Sequence, residues 1–136
     1  MMDVKDFLAN DRFARDMGIV LTEAADGRAK ASLRITDDHL NAAGMAQGGA
    51  IFTLADFVLA AASNSYGDLA VTLNVNISFI KATPKGVLYA EASETSRGKR
   101  IATYTMNITN ESGELIATAQ GMAYRKGITN QNLSQP

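Results

Sequence analysis

One acidic residue, Asp56, lies near the middle of a long apolar segment and is the only charged residue between His39 and Asp68. Burying a lone carboxylate costs several kcal/mol unless other groups hydrogen-bond or pair with it. A carboxylate that loses hydration becomes more basic, as a general base or nucleophile requires. The sequence therefore marks Asp56 as a candidate catalytic carboxylate. The alternative is a carboxylate that faces solvent or is hydrogen-bonded by a neighbouring strand.

Two glycines, Gly48 and Gly49, stand at the start of the same segment. The first N–H groups of a helix have no intrahelical acceptor and lie at the positive end of the helix dipole, so they can bind an anion or polarise a carbonyl. The alternative is a tight turn or close backbone packing. Gly48 and Asp56 are separated by about 12 Å along one helix. Both can act on one reactant only if two copies of the helix run antiparallel across a two-fold axis, which predicts at least a homodimer.

Hydrophobic periodicity predicts the elements that would position these residues. A short amphipathic helix over 3–16, with Asp3 as its N-cap, precedes a hairpin and a loop. A long helix that is apolar nearly all round follows, and the rest of the chain alternates like strands. The predicted strands are 18–24, 28–36, 69–82, 87–96, 101–109 and 115–125, the loop is 36–44 and the long helix is 47–65. Helices on one face of an antiparallel sheet define an α+β protein. Because the long helix is apolar on nearly every side, we expect the sheet to curve around it.

Length and composition limit the function. The 136 residues predict one domain over 1–126 and a polar, disordered tail over 127–136. A formal net charge of -1 argues against general nucleic-acid binding, and the absence of a signal peptide or long apolar span predicts a cytoplasmic protein without a membrane anchor. With no cysteine and one histidine, thiolate chemistry, disulfides and His-rich metal sites are excluded, and a Ser-His-Asp triad would have to use His39.

The run NAAGMAQGGAIFTLAD and the following strand VTLNVNISFIKATPKG resemble the hotdog-fold acyl-CoA thioesterases, in particular their phenylacetate-pathway branch. The family motif is an Asn, a Gly, a His-Gly-Gly and an acid eight residues after the first Gly of the pair. The matching residues are Asn41, Gly44, Gly48, Gly49 and Asp56, and the resemblance spans roughly residues 15 to 125. Gln47 stands where the family usually has His. Its amide can donate a hydrogen bond but cannot titrate near neutral pH, and we expect activity to survive the change.

The resemblance implies a five- or six-stranded antiparallel sheet around the long helix, in dimers that pair edge to edge and commonly form tetramers. It also implies roles for individual residues. The Gly48 N–H would polarise the thioester carbonyl, Asn41 would position water or the base, and Asp56 of the partner chain would be nucleophile or general base. A hydroxyl on the next strand assists the carboxylate in the family, and Thr72 is the matching residue, with Asn74 as the alternative.

Coenzyme A has phosphates that need cations near the site. The densest basic run is Arg97, Gly98, Lys99 and Arg100 in a strand turn, and Lys81 lies at the end of the strand that carries Thr72. These residues, with Gly49 and Asn74, form the predicted substrate-binding set. Solvated turn charges are the alternative. His39 is expected to be a loop or interface residue, and Phe52, Phe57, Leu59 and the N-terminal segment are candidates for an acyl pocket or simply for the core.

The predicted function is hydrolysis of acyl-CoA to a free acid and CoA, with small aromatic or medium-chain acyl groups, no metal and no cofactor beyond the CoA of the substrate. One alternative enzyme is a hotdog enoyl-CoA hydratase, which would need an Asp and His pair near the helix. The non-catalytic alternative is an acyl-CoA binding or sensing domain, which would lack the acid. An acyl carrier protein could replace CoA as the acyl donor, since the basic turn would suit an acidic partner.

Overall fold

Six antiparallel strands form one sheet that wraps around a 16-residue helix. The structure, a computed structural model, describes residues 4–130. The helices are α1 (Val4–Leu8), α2 (Arg12–Met17) and α3 (Gly48–Ser63), and the strands are β1 (Val20–Ala25), β2 (Arg28–Arg34), β3 (Asp68–Phe79), β4 (Val87–Arg97), β5 (Ile101–Thr109) and β6 (Leu115–Thr129). The strand order is β1-β2-β4-β5-β6-β3. The predicted α+β hotdog arrangement is confirmed, with six strands.

Helix α3 is the centre of the core. Leu54, Val58 and Leu59 on this helix are fully buried against the sheet. A stripe along the opposite side stays wholly or partly exposed, and we call it the open stripe: Gly49, Phe52, Thr53, Asp56 and Ala60. The three- and four-residue spacing places these side chains on one face. Across residues 4–130, no helix is both long and apolar enough to cross a membrane.

Strand β3 runs beside the open stripe and forms one edge of the sheet, because β6 is its one partner among the described strands. Thr72 lies opposite Ala123 and Asn74 lies opposite Met122, so Leu73 is an extra residue, a β-bulge. Because of this extra residue, the side chains before and after the bulge no longer follow one continuous in-and-out alternation. Thr72 consequently points inward towards α3, whereas Asn74 points to the outer face of the sheet.

The predicted N-terminal helix over 3–16 is wrong as a single element, because α1 and α2 are separated at Ala9–Asp11. The Asp11 side chain accepts a hydrogen bond from the Ala14 N–H at 3.0 Å and caps the start of α2. Gly18, with a φ of 92°, ends that helix in the left-handed conformation. The proposed cap Asp3 lies outside the described residues.

The predicted tail also begins too early. Strand β6 continues to Thr129, which pairs with Asp68, so 127–129 belong to the sheet. Asn130 is buried, and its side-chain N–H donates to the carbonyl of Asn64 at 2.9 Å. This bond satisfies a backbone acceptor at the C-terminal end of α3, where helices leave carbonyls without partners. The remaining residues of the predicted tail, 131–136, lie outside the described part of the chain.

Candidate active site

Asp56 lies on the open stripe of α3 and is hydrogen-bonded by the strand beside it. The Thr72 hydroxyl donates to Asp56 Oδ1 at 3.0 Å. Burial raises the pKa of Asp56 above its usual value, the Thr72 hydrogen bond opposes that rise, and the negative charge of Asp11 adds to it. The result is an oriented carboxylate that is more basic than usual and still partly accessible, as a general base or nucleophile must be.

Removing the Thr72 hydroxyl tests this pairing. Thr72→Val keeps the shape of the side chain but deletes the donor, so we expect kcat to fall about tenfold. The acidic limb of the pH–rate profile should move to higher pH, because the lost hydrogen bond stabilised the ionised form of Asp56. Thr72→Ser keeps a hydroxyl and is the matched control. A Thr72→Val profile with an unmoved limb would contradict a role that acts through Asp56.

The start of α3 is capped by Gln47. Its side-chain oxygen accepts a hydrogen bond from the Gly49 N–H. A Cβ at Gly49 would lie 2.5 Å from that oxygen, so glycine here makes room for the cap. Within residues 4–130, no acceptor takes the Gly48 N–H. The Gly49 N–H therefore has an acceptor within the chain, and the Gly48 N–H is left as the open backbone donor.

An open cavity of about 510 Å³ lies at this end of the helix. It brings together three predicted site residues, Asn41, Gly48 and Lys81, with an apolar wall that includes Ile51 and Phe79. The side-chain oxygen of Asn41 accepts from the N–H groups of Ala43 and Met45, at 2.9 and 3.1 Å, and so holds the loop before α3. Only the amide nitrogen of Asn41 remains to contact a ligand. Lys81 forms an ion pair with Glu114.

Asp56 and Thr72 do not line this cavity. Asp56 lies about two helical turns further along α3, roughly 12 Å from Gly48 at 1.5 Å per residue, and Thr72 lies beside it on β3. One chain therefore holds two separate groups of predicted site residues. Asn41, Gly48 and Lys81 form one group, and Asp56 with Thr72 forms the other.

The basic turn between β4 and β5 lies at the other end of α3 from this cavity, close to Tyr66, which follows the C-terminal end of the helix. The Arg97 guanidinium stacks on the Tyr66 ring at 3.8 Å and lies 4.0 Å from Glu94. The Gly98 carbonyl accepts from Arg125 Nη1 at 2.8 Å. No ion pair holds Lys99 or Arg100 to another residue of the described chain. Of the four predicted residues, these two offer the free charges.

Two further polar candidates are placed away from Asp56. Asn74 lines a polar cavity on the outer face of the sheet, with Thr105 and Gln120. His39 is buried; its Nδ1 accepts from the Thr36 N–H at 2.9 Å, and its Nε2 donates to the Met17 carbonyl at 2.8 Å. The histidine thus holds the loop to α2, as expected of a loop residue. No group of three His, Cys, Asp or Glu side chains within 4–130 is arranged to hold a metal.

Asp11 also acts on the site, although the sequence pattern did not single it out. Its charge contributes to the raised pKa of Asp56, and its side chain fixes the start of α2. An Asp before an amphipathic turn is an N-cap signal, so the break before α2 was detectable. Of the acyl-pocket candidates, Leu59 is fully buried in the core, Phe52 lies on the open stripe and Phe57 lines a separate cavity beside α2.

A curved sheet around a central helix, with a basic carboxylate on the exposed side of that helix, defines a hotdog-fold protein with a carboxylate-based site. The model of the thioesterase superfamily matches residues 43–117. A relative from Archaeoglobus fulgidus is 42% identical over 124 residues, which cover 90% of this chain and 80% of that protein. The acyl-coenzyme A thioesterase PaaI of Escherichia coli is 32% identical over 121 residues, with 88% and 86% covered.

Solved structures of thioesterases have the same fold as this chain. The structure of E. coli PaaI, from the phenylacetic acid degradation operon, superposes with a TM-score of 0.86 and covers 89% of this chain and 88% of that one at 32% identity. The structure of a hypothetical thioesterase protein of Streptococcus pneumoniae with coenzyme A gives a TM-score of 0.83 at 25% identity, and the superposition covers 90% of this chain and 98% of that one. The chain belongs to the thioesterase superfamily, and the predicted thioesterase class is confirmed.

Proposed function

We propose that this enzyme hydrolyses acyl-CoA thioesters to a free acid and CoA at a site shared between two copies of the chain. The observation that supports this best is the hydrogen bond from Thr72 to Asp56 on the open stripe of α3, which the chain's own sheet leaves uncovered. The E. coli relative is named an acyl-coenzyme A thioesterase, and the S. pneumoniae structure contains coenzyme A. Both support CoA as the carrier of the acyl group.

The exposed surface beside β3 supports a site shared between two copies of the chain. Within residues 4–130, no strand covers the outer edge of β3. Apolar side chains beside this edge are exposed, among them Leu73, Phe79 and Ile80, each more than half exposed. Such an edge favours pairing with a second copy. In an antiparallel pair, Phe52 would lie near the two-fold axis, midway between Gly48 and Asp56. Gly48 of one chain would then face Asp56 of the other.

The reaction divides between the two chains. The Gly48 N–H donates to the thioester carbonyl and stabilises the oxyanion as it develops. Asp56 of the partner, oriented by Thr72, takes a proton from water while the water oxygen bonds to the carbonyl carbon. The tetrahedral intermediate collapses, the C–S bond breaks, and the CoA sulfur receives that proton. Direct attack by the carboxylate would instead form an anhydride that water then opens.

Release of free thiol from a panel of acyl-CoAs tests the function, with small aromatic and medium-chain acyl groups as the expected substrates. Tight binding without thiol release would instead favour the acyl-CoA binding or sensing domain. A hotdog enoyl-CoA hydratase would consume the double bond of an enoyl-CoA. Both ring nitrogens of His39 are already engaged, so this chain lacks the histidine that such an enzyme would use.

The cations nearest to CoA are proposed to come from the turn of the partner chain. In the antiparallel pair, the part of each α3 that follows Asp56 extends past Gly48 of the other chain, so Lys99 and Arg100, near the C-terminal end of α3, approach the partner's cavity. Replacing both with Ala should raise KM for an acyl-CoA by roughly tenfold, as two exposed ion pairs allow. KM for the matching acyl-pantetheine, which has no nucleotide phosphates, should change little.

A variant of the neighbouring Arg97 serves as the control for the Lys99/Arg100 variant. Arg97→Ala removes the stack on Tyr66 and should lower the melting temperature more than it changes KM. Equal increases in KM for acyl-CoA and acyl-pantetheine in the Lys99/Arg100 variant would show that the turn is structural. An acyl carrier protein is the alternative donor, and the same variants can be assayed with it. Homotetramers and a cytoplasmic location remain predictions, and the proposed chemistry uses no cofactor.

A further inference from the structure

A second cavity, of about 250 Å³, lies between the two N-terminal helices, β1 and α3. It is separate from the cavity at Gly48 and contains none of the predicted CoA-binding residues. Its lining consists of Lys5, Leu8, Ala9, Asp11, Arg15, Ile19, Leu21 and Phe57. We call it the α1–α2 cavity.

The α1–α2 cavity lies next to the candidate base. Phe57 follows Asp56 on α3 and lines the cavity, and Asp11 on the cavity wall adds its negative charge to the field at Asp56. Pockets for drug-sized ligands usually exceed about 300 Å³. This cavity is smaller, so its volume suits a short acyl group and excludes CoA itself.

Charge at the rim indicates which acyl groups would fit. Leu8, Ile19 and Phe57 provide a buried apolar wall, whereas Lys5 and Arg15 are exposed cations. Neither cation forms an ion pair with another residue of the described chain. Among the described residues of the lining, Asp11 is the one anion, and its Oδ1 already accepts the Ala14 N–H. The cavity therefore combines an apolar interior with a net positive rim.

We infer that the α1–α2 cavity binds the acyl part of the thioester and selects short acyl groups with a carboxylate at the far end, that is, monothioesters of dicarboxylic acids. The methylene chain would contact the apolar wall, and the distal carboxylate would accept hydrogen bonds from Lys5 and Arg15. This inference rests on the proposed function and changes its expected acyl group, from small aromatic and medium-chain groups to short groups with a distal carboxylate.

Matched substrates test the selection. Glutaryl-CoA and pentanoyl-CoA have the same number of acyl carbons and differ in the distal carboxylate. We expect kcat/KM to be about tenfold higher for glutaryl-CoA at low salt, and the ratio to fall as ionic strength rises. In the Lys5→Gln/Arg15→Gln double variant the ratio should approach one. Arg12→Gln removes a cation from the same helix that does not line the cavity, and it should leave the ratio unchanged.

Three results would overturn the inference: equal or faster turnover of pentanoyl-CoA, a ratio that the double variant does not change, or a preference for 5-hydroxypentanoyl-CoA over glutaryl-CoA. A binding measurement separates failure of this inference from failure of the proposed function. If neither thioester is hydrolysed, calorimetry with the thioether analogues S-(4-carboxybutyl)-CoA and S-pentyl-CoA still measures the preference. A tighter Kd for the carboxylate analogue, lost in the double variant, would retain the cavity assignment without hydrolysis.

Discussion

Asp56→Asn is expected to lower kcat for acyl-CoA hydrolysis by about 10²–10⁴-fold, the usual contribution of a positioned base. Asparagine is nearly isosteric and can still accept the Thr72 hydrogen bond, but it can neither take a proton from water nor attack the thioester. KM should change little, because Gly48 and the CoA contacts remain. Initial rates of thiol release with one acyl-CoA measure both constants.

The same variant should not lose stability at neutral pH. The folded-state pKa of Asp56 is raised, chiefly by burial, so the folded chain binds this proton more tightly than the unfolded chain does. Stability therefore falls as pH rises from the unfolded pKa through the folded pKa, and a neutral amide removes that penalty. We expect the melting temperature at pH 7 to equal or exceed that of the parent. Asp16→Asn, an exposed change on α2, controls for the loss of one charge. Parent-like turnover in Asp56→Asn would exclude the carboxylate from the chemistry.

The position of Thr72 shows what the sequence pattern could and could not predict. Strict alternation over 69–82 places Thr72 and Asn74 on the same polar face, away from the apolar side chains. The bulge at Leu73 breaks that alternation, and it turns Thr72 towards Asp56 while Asn74 stays outside. Periodicity alone does not reveal one extra residue in a strand, because the strand on either side keeps its own alternation. Only the resemblance to a family indicated Thr72.

Local signals predicted the main elements and missed the contacts that join them. The apolar run over 47–65 predicted α3, and its single charge marked the residue on the open stripe. The stack of Arg97 on Tyr66 and the hydrogen bond of Asn130 to Asn64 join residues far apart in the chain, so no local pattern could show them. These contacts explain why the basic turn offers fewer free cations, and why the last strand runs further, than the sequence suggested.

Mixed dimers of two inactive variants are expected to recover activity, because each proposed site takes Gly48 from one chain and Asp56 from the other. Gly48→Pro deletes the N–H donor. Proline is tolerated in the first turn of a helix, and the preceding Gln47 already has the extended backbone, with φ of -68° and ψ of 139°, that proline favours. Gly48→Ala is the matched control, since it adds a Cβ but keeps the N–H. That Cβ would lie 3.2 Å from the Phe79 ring, which is exposed and can move by a few tenths of an ångström.

Each variant alone, Asp56→Asn or Gly48→Pro, should form nearly inactive homodimers. In a mixed dimer both lesions fall in one of the two sites, and the other site joins an intact Gly48 to an intact Asp56. Verified mixed dimers should therefore show up to about half of the parent activity, and a statistical mixture of refolded chains about a quarter. Two affinity tags, one on each variant, isolate the mixed species for the assay. If purified mixed dimers are as inactive as the two homodimers while Gly48→Ala remains active, Gly48 and Asp56 must act within one chain, and the antiparallel site has to be abandoned.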